Sequence, residues 1–278
     1  MTAAFTTVRS GALTTVQDAG RPGHAHLGVP RSGALDAPAM RLANRLLGNA
    51  PDAAVLETTL TGCALRPDRD VTAVVGGAYC PVTVGGRPAA RGAPLLSVGA
   101  AVAGVRSYVA VAGGIAAEPV LGSRSTDLLS GLGPDPLRDG DVVAVGTAPR
   151  PVPLPVAAPW PGPAAELVLP VCLGPRADWF SPAALRTLAS GAYRVSPHSN
   201  RIGLRMEGPP LQHASTGELP SEGMVLGAVQ VPPDGHPVVF LNDHPTTGGY
   251  PVVAVVLEPA LAAAAQAAAG TPVRFVLA

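Results

Sequence analysis

Glycine and proline constrain this chain more than any other residues. The 278 residues include 33 glycines and 32 prolines, and these punctuate short apolar runs without forming a repeat. The runs are Val71–Val75, Tyr108–Val111, Val142–Val145, Leu167–Val171, Ala228–Val231, Val238–Leu241, Val252–Leu257 and Val273–Leu277. Each is short, rich in β-branched residues and bounded by turn pairs such as Gly76-Gly77, Gly85-Gly86, Gly113-Gly114 and Asp234-Gly235. Long helices cannot survive such interruption. Many short strands closed by tight turns predict an all-β fold of barrels or sandwiches with a few short helices.

Three segments read as helices. The first has Asp36 as N-cap and runs to Gly48, with Met40, Ala43 and Leu47 on one face and Arg41, Asn44 and Arg45 on another. The second starts at Ser181-Pro182 and ends near Gly191, and the third is the alanine-rich stretch from Pro259 to Ala269, closed by Gly270. Residues 147–163, TAPRPVPLPVAAPWPGP, read as an extended proline-rich linker. They predict two domains, 1–155 and 156–278.

Charge and composition exclude several function classes. The 19 basic and 19 acidic residues balance, so the chain lacks the basic footprint of a nucleic-acid binder. No run approaches the roughly 18 apolar residues of a membrane helix. The N-terminus lacks the apolar core of a signal peptide, so a cytoplasmic location is expected. All basic residues are arginine. Without lysine the chain has no Walker A loop, no Schiff-base amine and no attachment point for biotin. Cys63, Cys80 and Cys172 form no CxxC pair, and each is expected to be buried, reduced and inert. No GxSxG elbow, HExxH helix or dinucleotide fingerprint is present.

Two glycine-punctuated polar signatures carry the candidate chemistry. The first is TTVQDAGRPGHAHLGVPRSGALD, from Thr14 to Asp36. In it Gln17, Asp18 and Arg21 crowd around Gly20 and Gly23. Arginine can clamp a carboxylate or phosphate through two parallel hydrogen bonds, and Asp18 can orient that arginine or carry a proton. His24 and His26 would face one way on a strand, but no third ligand stands near, and no metal site is expected. Ser32 and Gly33 precede the helix start, where free N–H groups suit an anion.

The second signature is SEGMVLGAVQVPPDGHPVVFLNDHPTTGGYP, from Ser221 to Pro251. It gathers Glu222, Gln230, Asp243, His244, Thr247 and Tyr250. His244 suits a general base near neutral pH, and Gly248-Gly249 permits close backbone approach to a ligand. Between the signatures, Arg201 and Arg205 in SNRIGLRMEG would share one face of an extended strand and suit an anionic substrate or acidic partner.

Taken in order, TTVQDAGRPG, GVPRSGALD, ANRLLGN, LETTLTG, RSYVAVAGGI, LGSRSTDLLSGLG, SNRIGLRMEGPPL, SEGMVLGAVQVPPDGHPVV and DHPTTGGYP resemble the biotin-dependent carboxyltransferase family. Its members include the 5-oxoprolinase C subunit, Kip-antagonist proteins and the second subunit of the allophanate hydrolase pair. The resemblance spans nearly the whole chain. It departs after LGSRSTDLLSGLG, where the PDPLRDGDVV stretch is shorter than usual, and at Ile202 and Leu204, where Met and Tyr are common.

The resemblance implies two cyclophilin-like β-barrel domains. It implies an ATP-dependent amide (lactam) hydrolase subunit, active only in a complex with a smaller first subunit and a third 5-oxoprolinase component, that opens the small-molecule substrate 5-oxoproline to glutamate. Which member of the complex holds ATP is left open. In this reading Asp18, Asp243 and His244 are the catalytic candidates. Gln17, Arg21, Ser32, Arg201, Arg205, Glu222, Gln230, Thr247 and Tyr250 are the substrate-binding ones. Two alternatives stand beside it. One is the carboxyltransferase part of a urea carboxylase system, using carboxybiotin carried on another chain. The other is a Kip-antagonist-like regulator that sequesters a kinase inhibitor.

Overall fold

The computed structural model describes residues 3–88, 95–148, 162–215 and 217–278. The proline-rich stretch read as a linker lies largely outside them, because residues 149–161 are not described. The chain packs as two compact units. The first takes in the described residues of Met1–Arg21, Ser32–Asp127 and Gly131–Pro163; the second takes in Pro22–Arg31, Leu128–Ser130 and Ala164–Ala278. Two short stretches from the first half of the sequence therefore pack with the second unit.

The first unit pairs its strands into two antiparallel sheets. One has six strands in the order Val142–Ala144, Ala4–Arg9, Ala64–Pro67, Leu96–Val98, Val82–Val84 and Arg87–Pro88. The other runs Leu13–Gln17, Val55–Thr59, Ala103–Val111 and Ala73–Tyr79. Strand alternation then sorts the side chains. Val16, Leu56, Val109 and Val111 meet Phe5, Leu65, Val98 and Val143 in a core between the sheets. Val55, Tyr108 and Ala110 point the other way and are covered by the helix Ala37–Leu46 through Met40 and Ala43.

That helix begins where its cap predicts. The Asp36 carboxylate accepts from the Ala39 N–H at 3.1 Å. Asn44 does not join the arginines on the solvent face. It lies one turn after Met40 and is buried, donating to the Ala53 carbonyl at 2.8 Å and accepting from Asn49 at 3.0 Å. Beside the helix, Glu57 accepts from the Leu35 N–H at 3.0 Å and the Tyr108 hydroxyl at 2.8 Å, and that hydroxyl accepts from the Asp36 N–H. Burial, with the Glu57 and Asp36 carboxylates close by, pushes the Tyr108 phenol well above its ordinary range.

The second unit contains a closed barrel. Its strands follow the order Leu167–Leu173, Val252–Val256, Ala228–Gln230, Val238–Phe240, Gly203–Glu207, Tyr193–Val195 and Pro272–Leu277. The last strand returns to Leu167–Leu173 in parallel, and the other pairs are antiparallel. Leu169, Val171, Val229, Val239, Val253 and Phe275 are buried in it. On the alternate positions Ala228, Val238, Phe240 and Val252 pack with Met224. Each of the apolar runs read from the sequence overlaps a strand.

Two expectations need correction. The alanine-rich segment makes only a 3-10 turn, Glu258–Ala260, and a single helical turn, Leu261–Ala264. Ala265, Gln266 and Ala267 are drawn into buried positions beyond that turn, so packing overrides alanine's weak intrinsic preference. The cysteines also differ from one another. Cys63 is buried and burial pushes its thiol up to about 11, but Cys80 is half-buried and Cys172 is exposed, on an outward position of its strand. Alkylation of the native protein near pH 8 is expected to modify Cys172 first and Cys63 only on unfolding. Peptide mass mapping that finds Cys63 modified as fast as Cys172 would contradict this packing. No helix among the described residues is long and apolar enough to cross a membrane.

Candidate functional site

In the first unit the polar signature forms a buried network built on the end of the strand Leu13–Gln17. Residues 120–127 fold back along it. Leu121 and Gly122 both have positive φ, of 51° and 80°, and the Val120 and Ser123 backbones bond each other across them. This tight turn aims Ser123, Arg124 and Ser125 at Asp18. Asp18 Oδ1 accepts from Ser123 Oγ at 2.5 Å, Ser125 Oγ at 2.6 Å and the Gly20 N–H at 2.8 Å. Oδ2 accepts from the Arg124 N–H at 2.6 Å. A carboxylate with four donors is fixed in orientation and holds the loop in place.

Arg21 is equally enclosed. It donates to the Val120 carbonyl at 3.2 Å, to Ser32 Oγ at 3.0 Å and to the Ser125 carbonyl. Ser32 in turn donates to Asp127 Oδ2 at 2.9 Å, and it holds a left-handed backbone conformation, φ 52°, unusual for a residue with a side chain. A Cβ on Gly133 would overlap the Ser125 carbonyl, which explains the glycine there. Gln17 donates to Thr15 Oγ1 and to the Thr126 carbonyl, both at 3.0 Å. Its Oε1 is buried with no partner among the described residues.

Next to Asp18 a cavity of about 360 Å³ opens. Glycine and alanine line most of it, including Gly20, Gly113, Gly114, Gly122 and Gly146, and its charged lining residues are Asp18, Asp52 and Arg124. Arg124, absent from the sequence-derived candidates, is half-buried, and its Nε donates to the Ala117 carbonyl at 2.8 Å. Its signal was present in the LGSRSTD motif, whose Ser, Arg, Ser and Asp all enter this network.

In the second unit Arg201 and Asp243 form a buried bidentate pair, Nε to Oδ2 and Nη2 to Oδ1, both at 2.9 Å, with side chains 1% and 0% exposed. The Leu128 N–H also reaches Asp243 Oδ2, at 3.4 Å. The expected sharing of one face by Arg201 and Arg205 does not hold. Asn200 accepts from the Ile202 and Gly203 N–H groups and bends the chain, so Arg201 lies before the strand while Arg205 lies within it and is exposed. Arg205 lines a separate cleft of about 560 Å³ with His198, Glu207, Asp234 and His236.

His244 follows Asp243 but turns to the Pro245 carbonyl, Nδ1 to O at 2.7 Å, and stacks on Phe240 with ring centres 6.0 Å apart. A carbonyl only accepts, so Nδ1 carries the proton and Nε2 is the basic nitrogen. Glu222, Thr247, Gln230 and Tyr250 do come together. The strand Glu222–Gly223 pairs with Thr247–Gly248, Gln230 donates to the Tyr250 carbonyl at 3.2 Å, and the Tyr250 ring is exposed. A Cβ at Gly248 would stand 2.8 Å from Gln230 Nε2. Arg176 forms a two-pronged pair with Glu222. Hydrogen bonding to Arg176 holds the Glu222 carboxyl below its ordinary range. His24 precedes a 3-10 turn, Ala25–Leu27, and His26 lies within it, so neither is on a strand; their rings stand 6.5 Å apart, and His26 Nδ1 bonds the Gly23 carbonyl.

Residues 27–277 match the family described as the carboxyltransferase domain, subdomain A and B. The chain belongs to that family. It is 37% identical to the 5-oxoprolinase C subunit of Escherichia coli, over 97% of its own length and 89% of that protein's. It is 33% identical to the urea amidolyase of Lachancea kluyveri, over 98% of its length but 17% of the amidolyase. Among solved structures it superposes on TTHA0988 with a TM-score of 0.89 at 37% identity, and on the Kluyveromyces lactis urea amidolyase with 0.86 at 30%. The superposition takes in 99% of this chain in both cases, and spans about half of TTHA0988 (55%) and 18% of the amidolyase.

Proposed function

We propose that this chain is the C subunit of a cytoplasmic, ATP-dependent 5-oxoprolinase complex. With a smaller partner subunit and a third protein it opens 5-oxoproline to glutamate. The observation that carries this reading is mutual coverage: the chain and the Escherichia coli 5-oxoprolinase C subunit match over 97% and 89% of their lengths. The urea amidolyase match concerns a small part of a much larger protein. In the reaction water adds to the lactam carbonyl, the C–N bond breaks and the ring nitrogen takes up a proton.

We assign His244 Nε2 to proton transfer and Glu222, Gln230, Thr247 and Tyr250, which lie in the same unit, to substrate contact; Arg205 is a further candidate contact in its own cleft of that unit, and Gln17 is a buried positioning residue. Asp18, Arg21, Ser32, Arg201 and Asp243 are assigned as positioning residues, because each is held by the buried bonds described above. The cavity beside Asp18 does not fit a triphosphate. The Gly20 and Arg124 N–H groups there already serve Asp18, the Gly113 N–H serves Asn49, and two carboxylates face the space. We propose that ATP is bound with the partner subunit.

The test is to purify the chain with both partners and measure ATP-dependent glutamate release from 5-oxoproline. Turnover is expected, and His244→Asn should lower it about 100-fold or more, the usual contribution of a positioned acid–base group. A stable complex with no release would overturn this reading. A second reading, carboxyl transfer in a urea carboxylase system, is supported by the match of nearly all of this chain to the amidolyases. Biotin would then arrive on another chain, and carboxylation of urea by the complex would mark that outcome.

A further inference from the structure

We propose that the glycine-walled cavity beside Asp18 is a subsite for a small carboxylate, and that Arg124 is the residue that recognises it. Arg124 donates its backbone N–H to Asp18 and its Nε to the Ala117 carbonyl. Its two terminal nitrogens have no hydrogen-bond partner among the described residues. They belong to a half-buried side chain lining an open cavity of about 360 Å³. A guanidinium in this state presents two parallel N–H donors, the geometry that matches a carboxylate.

The volume favours a compact ligand. Between Arg124, Asp18 and Asp52 the walls are Ala19, Ala50, Ala53, Ile115 and glycines, small residues that leave polar as well as apolar surface open to a ligand. The size is at the low end of small-molecule sites, which run from about 300 to 1,000 Å³. Arg124 is the one cationic side chain among the described residues that line the cavity. The Asp18 carboxylate is compensated by four donors, and Asp52 is exposed and available to accept from a ligand N–H. A five-membered lactam carboxylate offers that set: one anionic group, one N–H and a small apolar ring.

Arg124 is also held firmly. The loop that carries it is locked by Asp18, Arg21 and the Val120–Ser123 turn. Its fork therefore loses little freedom on binding, which is the advantage of a preorganised site.

The assignment of 5-oxoproline as the ligand rests on the proposed function; the carboxylate subsite does not. The complex with both partners is used for kinetics, and the full chain for calorimetry. The probes are 5-oxoproline, 2-pyrrolidinone, which keeps the lactam and lacks the carboxylate, and cyclopentanecarboxylate, which does the reverse. Arg124→Gln is expected to weaken calorimetric binding of 5-oxoproline at least about tenfold, the loss of one charge-assisted hydrogen bond or more. Binding of cyclopentanecarboxylate should fall equally, and 2-pyrrolidinone should bind alike to both proteins. Arg124→Lys, which keeps the charge and loses the fork, should fall between them.

Turnover of 5-oxoproline by the complex, with calorimetric binding of the carboxylates unchanged in Arg124→Gln, would overturn the subsite and leave the proposed function standing. Arg124-dependent binding of cyclopentanecarboxylate by a complex that does not turn over 5-oxoproline would do the opposite. Failure of every carboxylate to bind at about 10 mM, the weak end of measurable affinity, overturns the subsite outright.

Discussion

Asp243→Ala is expected to destabilise the barrel unit by about 3–5 kcal/mol, the usual consequence of leaving one member of a buried ion pair without the other. Both side chains are almost completely inaccessible, and the two bonds between them are of ideal length. Removing the carboxylate takes both of these bonds and the compensating charge from the buried Arg201 guanidinium, which cannot lose its proton at any ordinary pH. The Leu128 N–H loses an acceptor as well. Urea denaturation followed by tryptophan fluorescence and circular dichroism would measure the effect. A midpoint indistinguishable from wild type would show that the pair is solvated. The double variant Arg201→Met/Asp243→Leu removes both charges together and should recover most of the loss, since an apolar pair of similar volume is often as stable as a buried ion pair. Loss of activity in Asp243→Ala alone would therefore say nothing about proton transfer. Activity retained in the double variant would separate scaffold from chemistry.

The strands were legible because the physics that makes them is local. Val238–Phe240 and Val252–Val256 lie in β-branched runs between turn residues, and no distant contact is needed to recognise them. The caps of the helices Ala37–Leu46 and Pro182–Ser190 were legible for the same reason, since Asp36 and Ser181 bond N–H groups three residues on. The roles of the arginines were not. Arg21 and Arg201 carry the same side chain as Arg124 and Arg205, and only the fold decides which find buried partners and which keep donors to spare. The placement of Pro22–Arg31 and Leu128–Ser130 with the second unit is equally long-range, and no spacing in the chain announces it. Asn44 shows the limit at small scale. Its grouping with Arg41 and Arg45 fails, because the helical repeat places it one turn from Met40, bonded to the loop that carries Ala53.

Asp18→Asn is expected to loosen residues 120–127 without unfolding either unit. Of the two carboxylate oxygens, Oδ1 receives three donors and Oδ2 receives the Arg124 N–H. An asparagine that keeps its oxygen toward Ser123, Ser125 and Gly20 must turn its NH₂ group toward the Arg124 N–H, setting donor against donor. The lost bond to a charged acceptor is worth about 1.5–3 kcal/mol, and the Arg124 N–H has no substitute acceptor in that position. The flipped amide is worse, because the Gly20 N–H cannot rotate away as the two serine hydroxyls can. Amide hydrogen exchange should therefore quicken across residues 120–127 and stay unchanged in the barrel strands. Binding of cyclopentanecarboxylate to the full chain should weaken, because Arg124 is carried on the loosened loop, while kcat of the assembled complex changes little. Unaltered exchange with a kcat reduced about 100-fold or more, the size of a lost acid–base group, would point the other way. Asp18 itself would then be handling a proton, despite the four donors that surround it.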